Sequence, residues 1–461
     1  MTISSSLKLQ RHATSFSAWR TLAILVVLYF LSLLDRQILS LLVLPIQADL
    51  HLSDTELGAI QGLAFVLFYS VMGVALAWLV DKYSRRWIVF FGVVIWSVST
   101  FACGLAPSFG ALFAARLGVG FGEAVLGPAA ASLLGALFPR HRLSLASGIY
   151  TASASMGGLA AFWLGGILVS HLNAQGGLIA PFVGHLKPWQ AVFCLAGAAG
   201  LPLAVLAFFM SDPRHSDDTS TSRDSETLSS FARRRGLLWT CQALAFGVLT
   251  MTAYASISWT PAYLGRAFGA DPASIGLVMG LAFGVCGIVA NIFWGFIIDR
   301  MSRGGIIDAP YRIYFFLVPV GIPVAILAYT IPSFLLSSVL ICAMWLIMMG
   351  GIGPLAAATL LFTPPHLRGR ASAAASLASG VLAIGLTPFL IGVITDYVFH
   401  DRAKVGLSIA SFIAVFGLLG VTILFFARKR LADAILEEYG VTPQPPSEVA
   451  LPPAAYARRL S

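Results

Sequence analysis

Long apolar stretches, each about the length that crosses a bilayer as a helix, recur along the whole chain. The pattern predicts spans near 20–44, 56–80, 87–106, 107–132, 143–170 and 190–210. A second set follows near 237–262, 273–298, 312–331, 334–360, 371–395 and 405–427. Polar residues gather in the connections between them. The widest connection, around 211–236, holds a Ser/Asp/Thr-rich run and then Arg233-Arg234-Arg235, and reads as a flexible linker. The expected organisation is an all-α membrane protein: a six-helix bundle over 1–210, a linker over 211–236, a second six-helix bundle over 237–430, and a tail over 431–461.

Composition agrees with this pattern. Of 461 residues, 58% are hydrophobic and 11% charged, with a mean hydropathy of +0.86. A soluble chain carries roughly 25% charged residues, so most of this surface is expected to face lipid. The net charge of +9 matters through its placement. With the amino terminus inside, the even-numbered connections and the tails hold 23 of the 29 basic residues, and the outer loops hold Lys187, Arg266, Arg402 and Lys404. This asymmetry predicts both termini in the cytoplasm, and it explains the charge by topology and anionic lipid contact, with no nucleic-acid partner. The five cysteines are scattered through apolar segments with neither disulfide nor metal spacing. The first apolar run is too long for a cleavable signal peptide.

Two charged hairpins stand at corresponding places in the halves: Asp81-Lys82-Tyr83-Ser84-Arg85-Arg86, and Asp299-Arg300-Met301-Ser302-Arg303-Gly304. Connections beginning Pro139-Arg140 and Pro365-His366 echo each other again, as parallel repeats require. Four charges fall inside spans, where each costs about 2.5–3.5 kcal/mol and so points to a partner, water or function. They are Asp35 and Arg36 in the first span and Arg116 and Glu123 in the fourth. Asp35 and Arg116 lie at equal depth, about 14 Å from the outer ends of their spans, so they are expected to pair, with Glu123 two turns from Arg116 on the same face. A carboxylate whose arginine partner can leave makes a proton relay; a static ion pair between two helices is the alternative. Arg36, about 100° around the helix from Asp35, has substrate, a backbone carbonyl or a neighbouring helix as possible partners. The second half offers Tyr254, Trp259, Tyr263, Asn291, Met344, Trp345, Met348 and Met349 in place of charge. A charged wall facing an apolar-aromatic wall suits an amphiphile, with Arg36, Tyr254, Trp259, Trp345 and Met348 as candidate contacts.

The hairpins resemble the major facilitator superfamily signature G-x-L-x-D-R-x-G-R-[KR]. Leu79, Asp81, Arg85 and Arg86 match in the first copy, with Ala77 and Ser84 replacing glycines; Gly295, Asp299, Arg300 and Arg303 match in the second. The resemblance implies twelve helices in two pseudo-symmetric bundles, and a conformational latch at Asp81, Arg85, Arg86, Asp299, Arg300 and Arg303. Arg116-x-x-x-Gly120-x-Gly122-Glu123-Ala124, together with Leu34-Asp35-Arg36 and Gly385-x-x-Pro388-x-x-x-Gly392-x-x-x-Asp396, resembles the Spinster-like branch. That branch implies transport of sphingolipid or lysolipid species, with proton coupling at Asp35, Arg116 and Glu123. The Gly148–Gly158 stretch lacks the proline of the fifth-helix antiporter signature, which weakens a drug-antiporter reading.

The glycines at 118, 120 and 122 follow no strand, so close helix packing explains them better than a nucleotide loop. Zinc-type His clusters, a nucleophile elbow and a P-loop are all missing, so no enzyme, metal or cofactor is expected, only a proton gradient as energy source. The sequence reading is a proton-coupled transporter of an amphiphilic, lipid-like solute working by alternating access. Its alternatives are proton symport of a small organic anion and an uncoupled facilitator. A monomer in a bacterial inner membrane is the expected form.

Overall fold

The computed structural model describes residues 16–180, 183–213, 228–364 and 367–438. Eleven helices among them are long and apolar enough to cross a membrane. They are α1 (Phe16–Leu41), α3 (Arg85–Gly104), α4 (Phe109–Leu137), α5 (His141–Ala174), α6 (Pro188–Phe209), α7 (Arg233–Phe268), α8 (Pro272–Arg303), α9 (Ala309–Thr330), α10 (Phe334–Leu361), α11 (Ala374–Val398) and α12 (Arg402–Glu437). The twelfth, α2, covers 54–82 and contains a turn of π-helix at Ala59–Leu63. The predicted twelve-helix architecture is therefore present, with spans at the expected places. Large apolar side chains cover the outside, Phe426 at 74% and Leu335 at 70% exposure among them, as lipid contact requires.

Two features go beyond the hydropathy pattern. The seventh helix begins at Leu228, inside the stretch read as linker, and runs unbroken to Phe268. The Ser-Asp-Asp-Thr run before it and the Pro365-His366 echo lie outside the described residues. Between α5 and α6, β1 (Leu178–Ala180) and β2 (Gly184–Leu186) pair antiparallel with Leu178 opposite Leu186.

Packing divides the chain into two units. The first comprises Met1–Ser220 with Ile257–Gly284 and Pro388–Val405; the second comprises Thr221–Ser256, Val285–Thr387 and Gly406–Ser461. The six-plus-six division describes the sequence repeat, whereas these units cut across α7, α8, α11 and the first turn of α12. Two of the four cuts fall within or beside π-helical turns, Gly280–Cys286 and Val381–Leu386, where the backbone ladder is irregular.

In the first unit, glycines let helices touch backbone to backbone. A Cβ at Gly122 would lie 2.6 Å from both the Gly92 carbonyl oxygen and the Trp96 nitrogen, and one at Gly120 would strike the Phe65 carbonyl. These contacts seat α4 against α3 and α2, which accounts for the Gly120-x-Gly122 spacing by packing. The second unit is centred on a buried cluster that includes Leu249, Tyr311, Tyr314, Leu317, Phe362, Leu424 and Leu431.

Candidate functional site

Asp35, Arg116 and Glu123 are each 1% exposed, so three of the four intramembrane charges of α1 and α4 are buried inside the first unit, and Arg36 is half-buried. Their placement begins with a break in α4. Pro128 has no N–H to give the Ala124 carbonyl, and the regular helix pauses at Ala124 and Val125 between Phe109–Glu123 and Leu126–Leu137. Glu123 thus ends a helical segment.

The bonding differs from the expected one. Arg36, not Arg116, holds a carboxylate, and that carboxylate is Glu123, at 2.6 Å from Nη2 to Oε2. Ser32 donates to the same oxygen at 2.7 Å. Arg36 lies over the Phe65 and Tyr69 rings, 4.4 and 5.1 Å from their centroids, so its flat face is spent on aromatic carbon. Depth arithmetic on ideal helices aligned Asp35 with Arg116. The Arg36 side chain reaches across to Glu123 and takes that pairing instead.

Asp35 accepts a hydrogen bond from the Thr100 hydroxyl at 3.3 Å through Oδ2. Its Oδ1, Oε1 of Glu123, and Nε and Nη1 of Arg116 are buried with no hydrogen-bond partner. Arg116 lies 5.8 Å from the Phe65 centroid and within electrostatic range of Asp35, Arg36 and Glu123. The site therefore holds two formal positive and two negative charges, one close ion pair, and several polar atoms without partners. Buried polar atoms of this kind are rare in static structure and call for an explanation.

A second charge cluster of the first unit escaped the sequence reading, which placed Arg266 in an outer loop and Asp396 at the end of the Spinster-like motif without joining them. Arg266 grips Asp54 through both carboxylate oxygens, Nη2 to Oδ1 at 2.6 Å and Nη1 to Oδ2 at 2.7 Å. Gln47 bonds both partners, at 2.7 Å to Asp54 and 2.8 Å to Arg266. Asp396 accepts from the Thr55 backbone N–H and hydroxyl, each at 2.7 Å. These groups converge because α2 starts here. Ser53 and Glu56 form a reciprocal capping box, and carboxylates beside a helix N-terminus are stabilised by its unpaired N–H groups. The Ser53-x-x-Glu56 spacing signals where α2 starts but not which charges meet there. Close by sequence, Asp49 accepts from Lys187 and from the Trp189 indole. Its burial raises the carboxyl, but these bonds outweigh that and hold it below the usual carboxylate range.

The aromatic candidates fall in different units. Trp259, in the first, is fully buried and donates to the Pro388 carbonyl at 3.0 Å. In the second unit, Trp345 and Tyr329 both reach the Ser256 hydroxyl at 3.0 Å, Met348 is buried against Gly321, and Tyr254 is half-buried. Among the latch residues, Arg85 is held by Asp212 at 3.2 Å and by the Pro213 carbonyl at 3.0 Å. Arg86 is half-buried, and Asp299, Arg300 and Arg303 are exposed. The Asp81 side chain lies outside the described residues. Among those residues, no group of three or more His, Cys, Asp or Glu could hold a metal.

Comparison with known proteins places this arrangement. The family model described as "Major Facilitator Superfamily" matches residues 25–388. An MFS-type efflux pump of Mycolicibacterium smegmatis is 26% identical over 91% of this chain and 95% of its own length. Protein spinster homolog 3 of Danio rerio is 26% identical over 94% of this chain and 90% of its own. The fold is similar to the crystal structure of a bacterial homolog of the human lysosomal transporter Spinster, with TM-score 0.73 and 20% identity over 94% of this chain and all of that one. With a superfamily match spanning most of its helices and Spinster-like relatives covering nearly its full length, this chain belongs to the Major Facilitator Superfamily of transporters.

Proposed function

We propose that the chain is a proton-coupled secondary transporter of an amphiphilic, lipid-like solute of sphingolipid or lysophospholipid type, working by alternating access. The observation that carries this reading is the set of buried charges on α1 and α4 with unfilled hydrogen-bonding positions. In a site of low dielectric, a proton arriving on Asp35 leaves Arg116 uncompensated, and a proton on Glu123 releases Arg36. Either event changes which charges attract one another, so protonation biases the conformational equilibrium. Asp35, Glu123 and Arg116 are the proposed coupling residues. Arg36, Tyr254, Trp259, Trp345 and Met348 are the proposed substrate contacts. Asp81, Arg85, Arg86, Asp299, Arg300 and Arg303 form the proposed latch. The name of the Mycolicibacterium smegmatis relative, an efflux pump, supports outward movement of the solute. A monomer in a bacterial inner membrane, with both termini in the cytoplasm, completes the reading.

One observation favours a second reading, symport of a small organic anion: two nitrogens of Arg116 are without partners and would suit a carboxylate. Uptake of radiolabelled lysophospholipid and of a small carboxylate into proteoliposomes, with and without a pH gradient, separates the two. Lysophospholipid movement that follows the gradient supports the first. Gradient-driven carboxylate uptake alone establishes the second, and lipid movement indifferent to the gradient leaves an uncoupled facilitator.

A further inference from the structure

The two buried carboxylates each receive one hydroxyl, from residues that hydropathy hides inside apolar runs. Ser32 of α1 donates to Glu123, and Thr100 of α3 donates to Asp35. The resulting environments are unequal. The bonded oxygen of Glu123 takes two donors, one of them the Arg36 cation, at 2.7 and 2.6 Å. Asp35 has the Thr100 hydroxyl at 3.3 Å and a second oxygen with no partner. Around Asp35 stand Thr100 and Cys103 of α3, Arg116 and Glu123 of α4, and Arg36 on its own helix. Further out, α5 brings Tyr150 near Arg36 and α6 brings Cys194 near Cys103. Neither ammonium group nor histidine is among them. Thr100 is wholly buried, so its hydroxyl has no bulk water to turn to.

We propose that Thr100 is a positioning residue for proton exchange at Asp35, serving as hydrogen-bond donor to the carboxylate and as acceptor from the carboxylic acid. A hydroxyl can do both because it carries one proton and two lone pairs. While Asp35 is ionised, Thr100 O–H points at Oδ2. When the site opens to water and a hydronium ion gives its proton to Oδ2, leaving as water, the new O–H donates to the Thr100 oxygen. The Thr100 proton then rotates to the carbonyl one turn back in α3, that of Trp96, the usual acceptor for a helical threonine. No bond beyond the Asp35 O–H forms, and the buried side chain keeps a partner in both states. The inference rests on the proposed proton role of Asp35 and adds the residue that makes protonation of a buried site reversible.

Infrared difference spectroscopy on the full-length protein in phosphatidylethanolamine/phosphatidylglycerol vesicles, titrated with pH, tests this without a transported substrate. The carbonyl stretch of a protonated carboxylic acid that disappears in Asp35→Asn belongs to Asp35. Thr100→Val, close in shape but without the hydroxyl, is expected to move the titration midpoint of that band upward by about one pH unit, the lower end of what a hydrogen bond to a charged group supplies. It is also expected to shift the band to higher frequency, as a freer carbonyl vibrates. Thr100→Ser is expected to restore both. Thr100→Ala replaces the valine variant should that protein not fold. A valine variant that superimposes on wild type, or a serine variant that behaves like valine, overturns the role of Thr100. If Asp35→Asn removes no band, the proton role of Asp35 falls first and the inference with it.

Discussion

Within one packed unit, Asp35 keeps a single hydrogen bond of 3.3 Å and an oxygen with no partner, while Asp54 has both oxygens gripped by Arg266 and a further bond from Gln47. Both side chains are buried. The difference lies in saturation. At Asp54 both oxygens face donors, three in all, and the guanidinium meets the carboxylate bidentately, an arrangement that resists change. At Asp35 the single donor is a rotatable hydroxyl, so adding a proton disturbs little that was firmly made. A saturated buried carboxylate clasps, and an under-satisfied one is free to exchange its proton or its partner. The proposed coupling role of Asp35 and a purely structural role for Asp54 follow from that contrast.

The contrast breaks most sharply at Asp35. The Asp35→Asn protein is expected to lose accumulation driven by a pH gradient while still exchanging labelled for unlabelled solute across proteoliposome membranes. Accumulation that survives the substitution would place the coupling elsewhere.

The next largest effect belongs to the clasp. Arg266→Ala leaves the Asp54 carboxylate buried beside Gln47 without its cation, a change that typically costs about 3 kcal/mol or more. A thermal melt in detergent should show a clear fall, and adding Asp54→Asn to the same chain should return much of it, since the stranded charge is then gone. Equal melts for the single and double variants would mean that Asp54 does not depend on Arg266.

How much of this was legible beforehand differs between the two clusters. Asp35, Arg36, Arg116 and Glu123 stood out because a formal charge amid apolar residues is visible one position at a time. Their partners were not, because pairing depends on how far a long arginine side chain extends across to the next helix. Nothing in a run such as Leu31-Ser32-Leu33-Leu34 or Ser97-Val98-Ser99-Thr100 marks one hydroxyl as bonded to a charge and another as inert. The clasp was harder still. Asp54, Arg266 and Asp396 come from three distant segments, and no local spacing signals a contact made only when α2, α7 and α11 are assembled. The helices themselves were easy, since lipid demands long apolar runs and the backbone leaves few other solutions.

Ser32 sharpens the comparison from the other carboxylate. Removing its hydroxyl leaves Glu123 with Arg36 intact, so Ser32→Ala should lower stability by about 1.5 kcal/mol, the size of one hydrogen bond to a charged acceptor. Gradient-driven transport should persist. Loss of coupling in this variant would mean that Glu123, rather than Asp35, depends most on its hydroxyl donor.

The mildest case is a carboxylate that is saturated but exposed. Asp271 caps the start of α8, accepting from the Ser274 hydroxyl at 2.6 Å and from the backbone N–H groups of Ser274 and Ala273 at 3.1 and 3.0 Å. The Ser274 hydroxyl, then the two N–H groups, hold its carboxyl below the usual carboxylate range. A carboxyl depressed in the folded state contributes stability that is fully present above the unfolded value of about 3.9 and is lost as pH falls through the lower folded value. Solvent screens most of it, so the effect is small. In melts between pH 6 and pH 3, Asp271→Asn should lose a shallow part of the acid slope and little at neutral pH, because asparagine caps helices nearly as well. Saturation without burial thus gives a weak, pH-tunable cap. If Asp271→Asn instead matched Arg266→Ala in its cost at neutral pH, saturation alone would set the strength of these sites, and burial would drop out of the distinction between Asp54 and Asp35.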